Sequence, residues 1–186
     1  MALPAAAEDG ELEEVRRLLA ERPDCINDVD EFSRCALNLA CLNNDVPMVR
    51  ALLASPRVDA NRATRDGETA LFVAASRGHD LCVRALLGGV GGGGPISIDV
   101  DRSTIHGHTP LWVAVSNGHA PVVRALAITA RADTNLAEGG GCAPLQVGRS
   151  VERDVASIRR HQQTPRSPRH DTSHRIGCAP LQVVRV

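Results

Sequence analysis

Apolar residues recur along this chain in a fixed register. Leu3, Leu37, Leu71 and Leu111 each have a valine twelve residues on (Val15, Val49, Val83 and Val123) and a leucine fifteen on (Leu18, Leu52, Leu86 and Leu126). Seven residues after each first leucine stands Gly10, Asn44, Gly78 or Gly118. Gly78 and Gly118 permit a tight turn with positive φ between two helices. Val83, Leu86 and Leu87 have i, i+3, i+4 spacing, which puts them on one buried face of a second helix. Thr69 and Thr109 stand where a hydroxyl caps a first helix, and Ala70 and Pro110 follow at the first helical position. Ala6-Ala7 and Ala74-Ala75 are small enough for adjacent helices to approach closely. Each unit therefore predicts helix, turn, helix. A unit of this size cannot bury its apolar face alone and must stack on its neighbours.

The register continues through Leu145 and Leu181, with steps of 34, 34, 40, 34 and 36 residues. The long step holds a Gly-rich insertion at 88–95, expected to be a tolerated mobile surface loop. A column one repeat apart, Asn27, Asn61, Asp101 and Asn135, is expected to close turns through its own side chains. The first unit begins directly at a helix. The charged outer side of its second helix, residues 11–20, suits the capping unit of an array, with a weak pair expected between Glu13 and Arg17.

The phrases that carry these leucines are more specific. Gly107-His108-Thr109-Pro110-Leu111 and Gly67-Glu68-Thr69-Ala70-Leu71 open two units, and Gly78-His79 and Gly118-His119 mark their turns. Val58-Asp59-Ala60-Asn61 and Ala132-Asp133-Thr134-Asn135 close units. Over roughly residues 3–147 this pattern resembles the ankyrin repeat. The resemblance implies an all-α fold: an ankyrin-type α-solenoid of helix-turn-helix repeats with short β-hairpin-like turns and a degenerate C-terminal repeat. The organisation expected is an array over 1–147, with about four repeats and the start of a fifth. A degenerate capping helix over 148–161 and a basic, Pro/Arg/His-containing disordered tail over 162–186 follow. In the family a His after the Leu ties neighbouring repeats by hydrogen bonds. Here that slot holds Asn38, Phe72, Trp112 and Gln146, so apolar or amide contacts must substitute. Trp112 is expected to pack between repeats.

Composition changes the picture in three ways. Aromatic residues are 2% of the chain, so the core must come from Leu, Val and Ala, as closely stacked helices allow. Residues 1–147 carry 13 Arg against 19 Asp and Glu, a charge of −6; residues 148–186 carry 8 Arg against 3 acids, a charge of +5. An anionic partner would meet the tail first, but no aromatic residue lies there for base stacking, and nucleic acid is not expected as a partner. The six cysteines, at 25, 35, 41, 82, 142 and 178, form no Cys-x-x-Cys and read as small buried residues of a reducing, intracellular compartment, cytoplasmic or nuclear. No basic leader and no long apolar run are present, so no signal peptide and no membrane span are expected.

The chain carries no recognisable catalytic motif, and no enzyme activity, cofactor or metal is expected. His106 and His108 flank Gly107 without a third ligand, and His79 and His119 recur with the turn. Gly141 to Val147 recurs identically as Gly177 to Val183, a sign of recent duplication or of a gene model read through non-coding sequence. Thr164-Pro165 and Ser167-Pro168 in the tail are dipeptides that proline-directed kinases accept.

The family resemblance implies non-catalytic capture of a protein partner by a monomer, through the concave side of the stack. By position the hairpin residues involved are Phe32, Arg34, Arg65, Asp66, Glu68, Ile105, His106 and His108. On the first helices they are Leu42, Asn43, Ser76, Arg77, Ser116 and Asn117. The alternative is a regulatory or targeting fragment of a larger ankyrin-containing enzyme or ubiquitin-ligase assembly.

Overall fold

The structure is a computed structural model, and it describes residues 2–88 and 97–129. The insertion beyond Gly88, the start of the fifth unit, the 148–161 segment, the tail, Cys142 and Cys178 lie outside the described residues.

Four helical pairs follow one another along the described chain. They are α1 (Leu3–Glu8) with α2 (Leu12–Glu21), α3 (Ala36–Leu42) with α4 (Val46–Leu53), α5 (Ala70–Arg77) with α6 (Asp80–Leu87), and α7 (Pro110–Ser116) with α8 (Ala120–Arg124). A 3-10 turn over Pro23–Asn27 leaves the first pair, and a π-helical turn over Ala125–Thr129 continues α8. The only β pairing among the described residues is two antiparallel bridges, Val29 with Cys35 and Ala63 with Thr69.

The helices form two rows. The first helices pack in chain order, α1 on α3, α3 on α5 and α5 on α7, and α2, α4 and α6 pack in a parallel row beside them. The repeating apolar columns face the seam between rows. Leu3, Leu37, Leu71 and Leu111 are all buried, as are Val15, Val49, Val83 and Val123 and the leucines at 18, 52, 86 and 126. Three residues beyond each first leucine, Ala6, Ala40, Ala74 and Ala114 are completely buried. A single methyl at that position is what lets neighbouring first helices close on each other. Cys25, Cys35, Cys41 and Cys82 are buried free thiols within the same core.

Local chemistry starts and stops the helices as their short length requires. The Thr69 hydroxyl accepts from the Phe72 N–H at 3.2 Å and the Thr109 hydroxyl from the Trp112 N–H at 3.1 Å. Asp45 caps α4 by accepting from the Met48 N–H at 2.9 Å. Gly10, Asn44, Gly78 and Gly118 all have positive φ, between 58° and 76°, at the turn between paired helices. On α2 the expected Glu13–Arg17 pair is replaced: Arg16 reaches Glu13 at 2.9 Å, and Arg17 sits between Glu14 and Glu21. The i, i+3 partners are nearer here, and such exposed pairs contribute only a few tenths of a kcal/mol.

Polar ties run between repeats as well. Asn27 donates to the Arg57 carbonyl at 2.9 Å and accepts from the Asp59 N–H at 2.8 Å. Asn61 repeats this one unit on, donating to the Ser97 carbonyl at 2.7 Å and accepting from the Asp99 N–H at 2.8 Å. These side chains span repeats instead of closing their own turns. The turns are closed two residues earlier, by Asp59 accepting from the Asn61 N–H and Asp99 from the Asp101 N–H. An amide offers a donor and an acceptor together, which a carboxylate cannot, so Asn is the residue that can bridge both ways.

Gly78 shows how closely repeats fit. A Cβ on Gly78 would lie 2.6 Å from the His119 ring, whereas one on Gly10 would meet nothing within 4 Å. Both have positive φ. Gly10→Ala is therefore expected to cost about 1–2 kcal/mol, the strain of a left-handed alanine. Gly78→Ala adds displacement of His119 and is expected to cost about 1–3 kcal/mol more. Urea unfolding of the two variants measures the difference; equal losses would mean that His119 is not packed against this turn.

Candidate interaction surface

Three five-residue hairpins join the helical pairs: 30–34, 64–68 and 104–108. Each is closed by its first N–H donating to its last carbonyl, at 3.0 Å in all three. The fourth residue, Ser33, Gly67 or Gly107, has positive φ in each case. Thr64 and Thr104 steady their hairpins by accepting from the N–H of Glu68 and His108. In the first hairpin the Asp30 carboxylate takes over, accepting from the N–H groups of Phe32 and Arg34. The second and third hairpins are joined directly: the Ile105 N–H donates to the Asp66 carbonyl at 3.0 Å. Gly67 permits this approach, since a Cβ there would lie 3.0 Å from Ile105 N and Thr104 Cα.

The first helices are anchored to their predecessors at their far ends. The Asn43 amide donates to the Glu8 carbonyl at 2.9 Å. His79 Nδ1 lies 2.9 Å from the Cys41 carbonyl and His119 Nε2 lies 3.0 Å from the Ser76 carbonyl. A carbonyl only accepts, so each of these ring nitrogens carries the proton. The Asn117 amide also donates to Ser76, at 2.8 Å. In the slot where a His was missing, buried Asn38 supplies the tie by donating to the Glu68 carbonyl at 3.2 Å, while the Cys35 thiol donates to its oxygen at 2.7 Å. Hairpin, helix, turn, helix and cross-repeat tie recur with the period of the leucines.

Family comparisons agree with this geometry. A model described as ankyrin repeats (many copies) matches residues 3–53, and one described as ankyrin repeats (3 copies) matches residues 56–138. The chain belongs to the ankyrin repeat family. No curated protein matches it. Ankyrin repeats are generally modules of protein–protein interaction and typically non-catalytic. Among the described residues no three His, Cys, Asp or Glu are grouped as a metal site, and no helix is long and apolar enough to cross a membrane.

The fourteen positions singled out from the ankyrin pattern fall into distinct settings. Phe32 and Ile105 are exposed at hairpin tips, 55% and 66% accessible. Arg34 is half-buried: it pairs with Asp30 at 2.6 Å and with Glu8 of the preceding repeat at 3.2 Å, and its guanidinium lies 5.0 Å over the Phe32 ring. Burial pushes the Asp30 carboxyl up, but the Arg34 N–H, the Arg34 guanidinium and the Phe32 N–H together outweigh it and hold the group below its ordinary range. Arg65, Asp66, Arg77, His106 and Ser116 are exposed, and Leu42, Ser76 and His108 are half-buried. Asn43 and Asn117 are exposed but spend amide protons on the repeat before them. The ankyrin pattern did not mark Trp112 as part of this surface. Its ring is half-buried, stacked on His108 at 4.2 Å and nearly parallel, with His106 a further 6.1 Å from His108. The Trp112 indole N–H is buried without a hydrogen-bond partner among the described residues. Its position in the His column was the available signal.

Glu68 stands out electrostatically. Burial raises its carboxyl above the ordinary range, neighbouring Asp66 raises it further, and Arg77 opposes the shift. A carboxylate with a raised folded-state value destabilises the fold above that value and is neutral in effect once protonated in both states. Glu68→Gln is therefore expected to raise the melting temperature at pH 7, with the gain shrinking to nothing as pH falls below about 4. A gain that persisted at low pH would place its origin elsewhere than in this charge.

Proposed function

We propose that this ankyrin array captures a protein partner, without catalysis, on the concave side formed by the hairpin tips and the exposed ends of the first helices. The observation that carries this reading is Glu68. It is a half-buried acid beside a second acid, where burial and Asp66 both push its carboxyl up and make its ionised form costly to the fold. A side chain that stability alone would not keep is the kind retained for binding. Around it the tips present Phe32, Ile105 and the His108–Trp112 stack as apolar and aromatic anchors, the residue types that dominate interface energetics. Arg65, Asp66, Arg77 and His106 supply a mixed polar rim, and Leu42, Asn43, Ser76, Ser116 and Asn117 extend the surface along the helices. Behind this surface the same columns hold the same residue types from repeat to repeat; on it they differ, which gives specificity to a scaffold that is otherwise uniform.

A cationic partner group is the natural complement of the Glu68 carboxylate. A cation set against this carboxylate relieves the cost of its burial, so capture by such a group strengthens as pH rises through the raised value.

The combined reversal Glu68→Arg with Arg77→Glu is expected to reduce recovery of the partner from native lysate at least about tenfold, the effect of losing roughly 1.4 kcal/mol at an interface. Far-UV circular dichroism should be unchanged, since neither side chain belongs to the seam. Undiminished capture by a folded double variant would remove this surface from consideration.

A further inference from the structure

A cleft of about 370 Å³ runs along the bases of the hairpins. Its charged wall is made by Arg62, Arg65, Arg102 and Asp59, and its hydroxyls by Ser33 and Thr64. Arg62 and Arg102 occupy the same slot in successive repeats, 40 residues apart like Leu71 and Leu111, so stacking alone brings them to one site. In the repeat before, that slot holds Asp28.

Three features set this cleft apart. The first is charge without compensation. Arg16, Arg17, Arg34, Arg57 and Arg84 each reach a carboxylate, whereas Arg62, Arg65 and Arg102, like Arg22, Arg50 and Arg77, make no ion pair among the described residues; Arg62, Arg65 and Arg102 converge on one lining. The one acid present, Asp59, is already engaged, its carboxylate accepting from the Asn61 N–H at 3.0 Å. Three guanidinium groups against one carboxylate leave the lining at +2, although residues 1–147 as a whole carry −6. The second is rigidity. Asn61 at the cleft bridges both ways to Ser97 and Asp99, and Asp59 is held by Asn27. The third is unused donor capacity. The Thr64 oxygen accepts from the Glu68 N–H, which leaves its hydroxyl proton to donate.

We propose that this cleft binds a phosphorylated serine or threonine side chain of the protein partner. A phosphomonoester carries close to two negative charges and three strong acceptor oxygens, which matches a +2 lining of planar, bidentate donors. Guanidinium groups in adjacent slots repel each other, and a dianion between them turns that repulsion into attraction. A protein segment is favoured over a polyanion on two grounds. The surrounding array is acidic and repels an extended phosphate backbone or an anionic bilayer. No aromatic side chain lines the cleft to stack a base. The proposal rests on the reading of the array as a protein-binding module and adds a second, charge-specific anchor to it.

The test uses the full chain and fluorescence anisotropy with three probes: degenerate peptides centred on phosphoserine or phosphothreonine, the same peptides unphosphorylated, and vesicles containing phosphatidylinositol phosphates. The phosphorylated pool is expected to bind at least tenfold more tightly than the unphosphorylated pool, with affinity falling as salt rises. Arg62→Gln combined with Arg102→Gln should abolish that preference while circular dichroism is unchanged, and Glu68→Arg with Arg77→Glu should retain it. Equal binding of the two peptide pools, a preference that survives the double glutamine variant, or tighter binding to the vesicles than to phosphopeptide would overturn the proposal. Partner capture from lysate that depends on Glu68 and Arg77 but not on Arg62 and Arg102 would overturn the cleft alone and leave the interaction surface standing.

Discussion

Each described helical pair would leave alanine and leucine uncovered on the sides that face its neighbours, and among the described residues a neighbouring repeat covers them. Ala6, Ala40, Ala74 and Ala114 are completely buried because another helix lies directly against each of them. The helices are too short to persist alone; α3 and α7 have seven residues each, about two turns, well below the length at which isolated helices hold in water. Secondary structure is thus a consequence of stacking, and the surface features inherit their positions from it. Arg62 and Arg102 line one cleft, and the second hairpin meets the third, because the leucine columns set the register between repeats.

The polar ties refine this seam. Asn27, Asn61, Asn38, Asn43, Asn117, His79 and His119 all reach carbonyl oxygens of a neighbouring repeat. The carbonyls of Glu8, Cys41 and Ser76 stand at helix ends, where they have no intrahelical partner, and those of Arg57, Glu68 and Ser97 stand in the connections between helices; in a packed array a neighbour's side chain can supply the donor. Each tie is modest, about 1 kcal/mol, yet each fails if repeats shift by a fraction of a turn. Apolar burial supplies the drive to stack, and the amides and imidazoles select one register of stacking.

This division explains what was legible in the sequence. The apolar columns, the helix caps at Thr69 and Thr109 and the turns at Gly78 and Gly118 are local or strictly periodic, so they could be read directly. The ties were not legible, because the partner of each is a carbonyl more than about two helices away in sequence, and every residue has a carbonyl. Asn61 accordingly looked like a turn-closing residue when Asp59 fills that role. The Glu13 pairing was misjudged because i, i+3 and i, i+4 partners compete on one helix face and side-chain rotamers choose between them. The candidate surface could be placed by position, but its character could not. That Asn43 and Asn117 are committed to structure and that Arg62 and Arg102 share a cleft both depend on contacts between repeats.

Helix α1, at the first of the described repeats, provides the direct test of stacking as the source of stability. Helix α1 has a first-helix neighbour on one side, α3, whereas α3 and α5 have one on each. If burial between neighbours sets stability, opening should be easier at α1 than in the interior. Native-state hydrogen exchange of the full chain, followed by mass spectrometry, is expected to show the amides of α3 and α5 exchanging markedly more slowly than those of α1. Exchange in α1 as slow as in α3 and α5 would contradict the account, because a helix covered on one side would then be as stable as one covered on both.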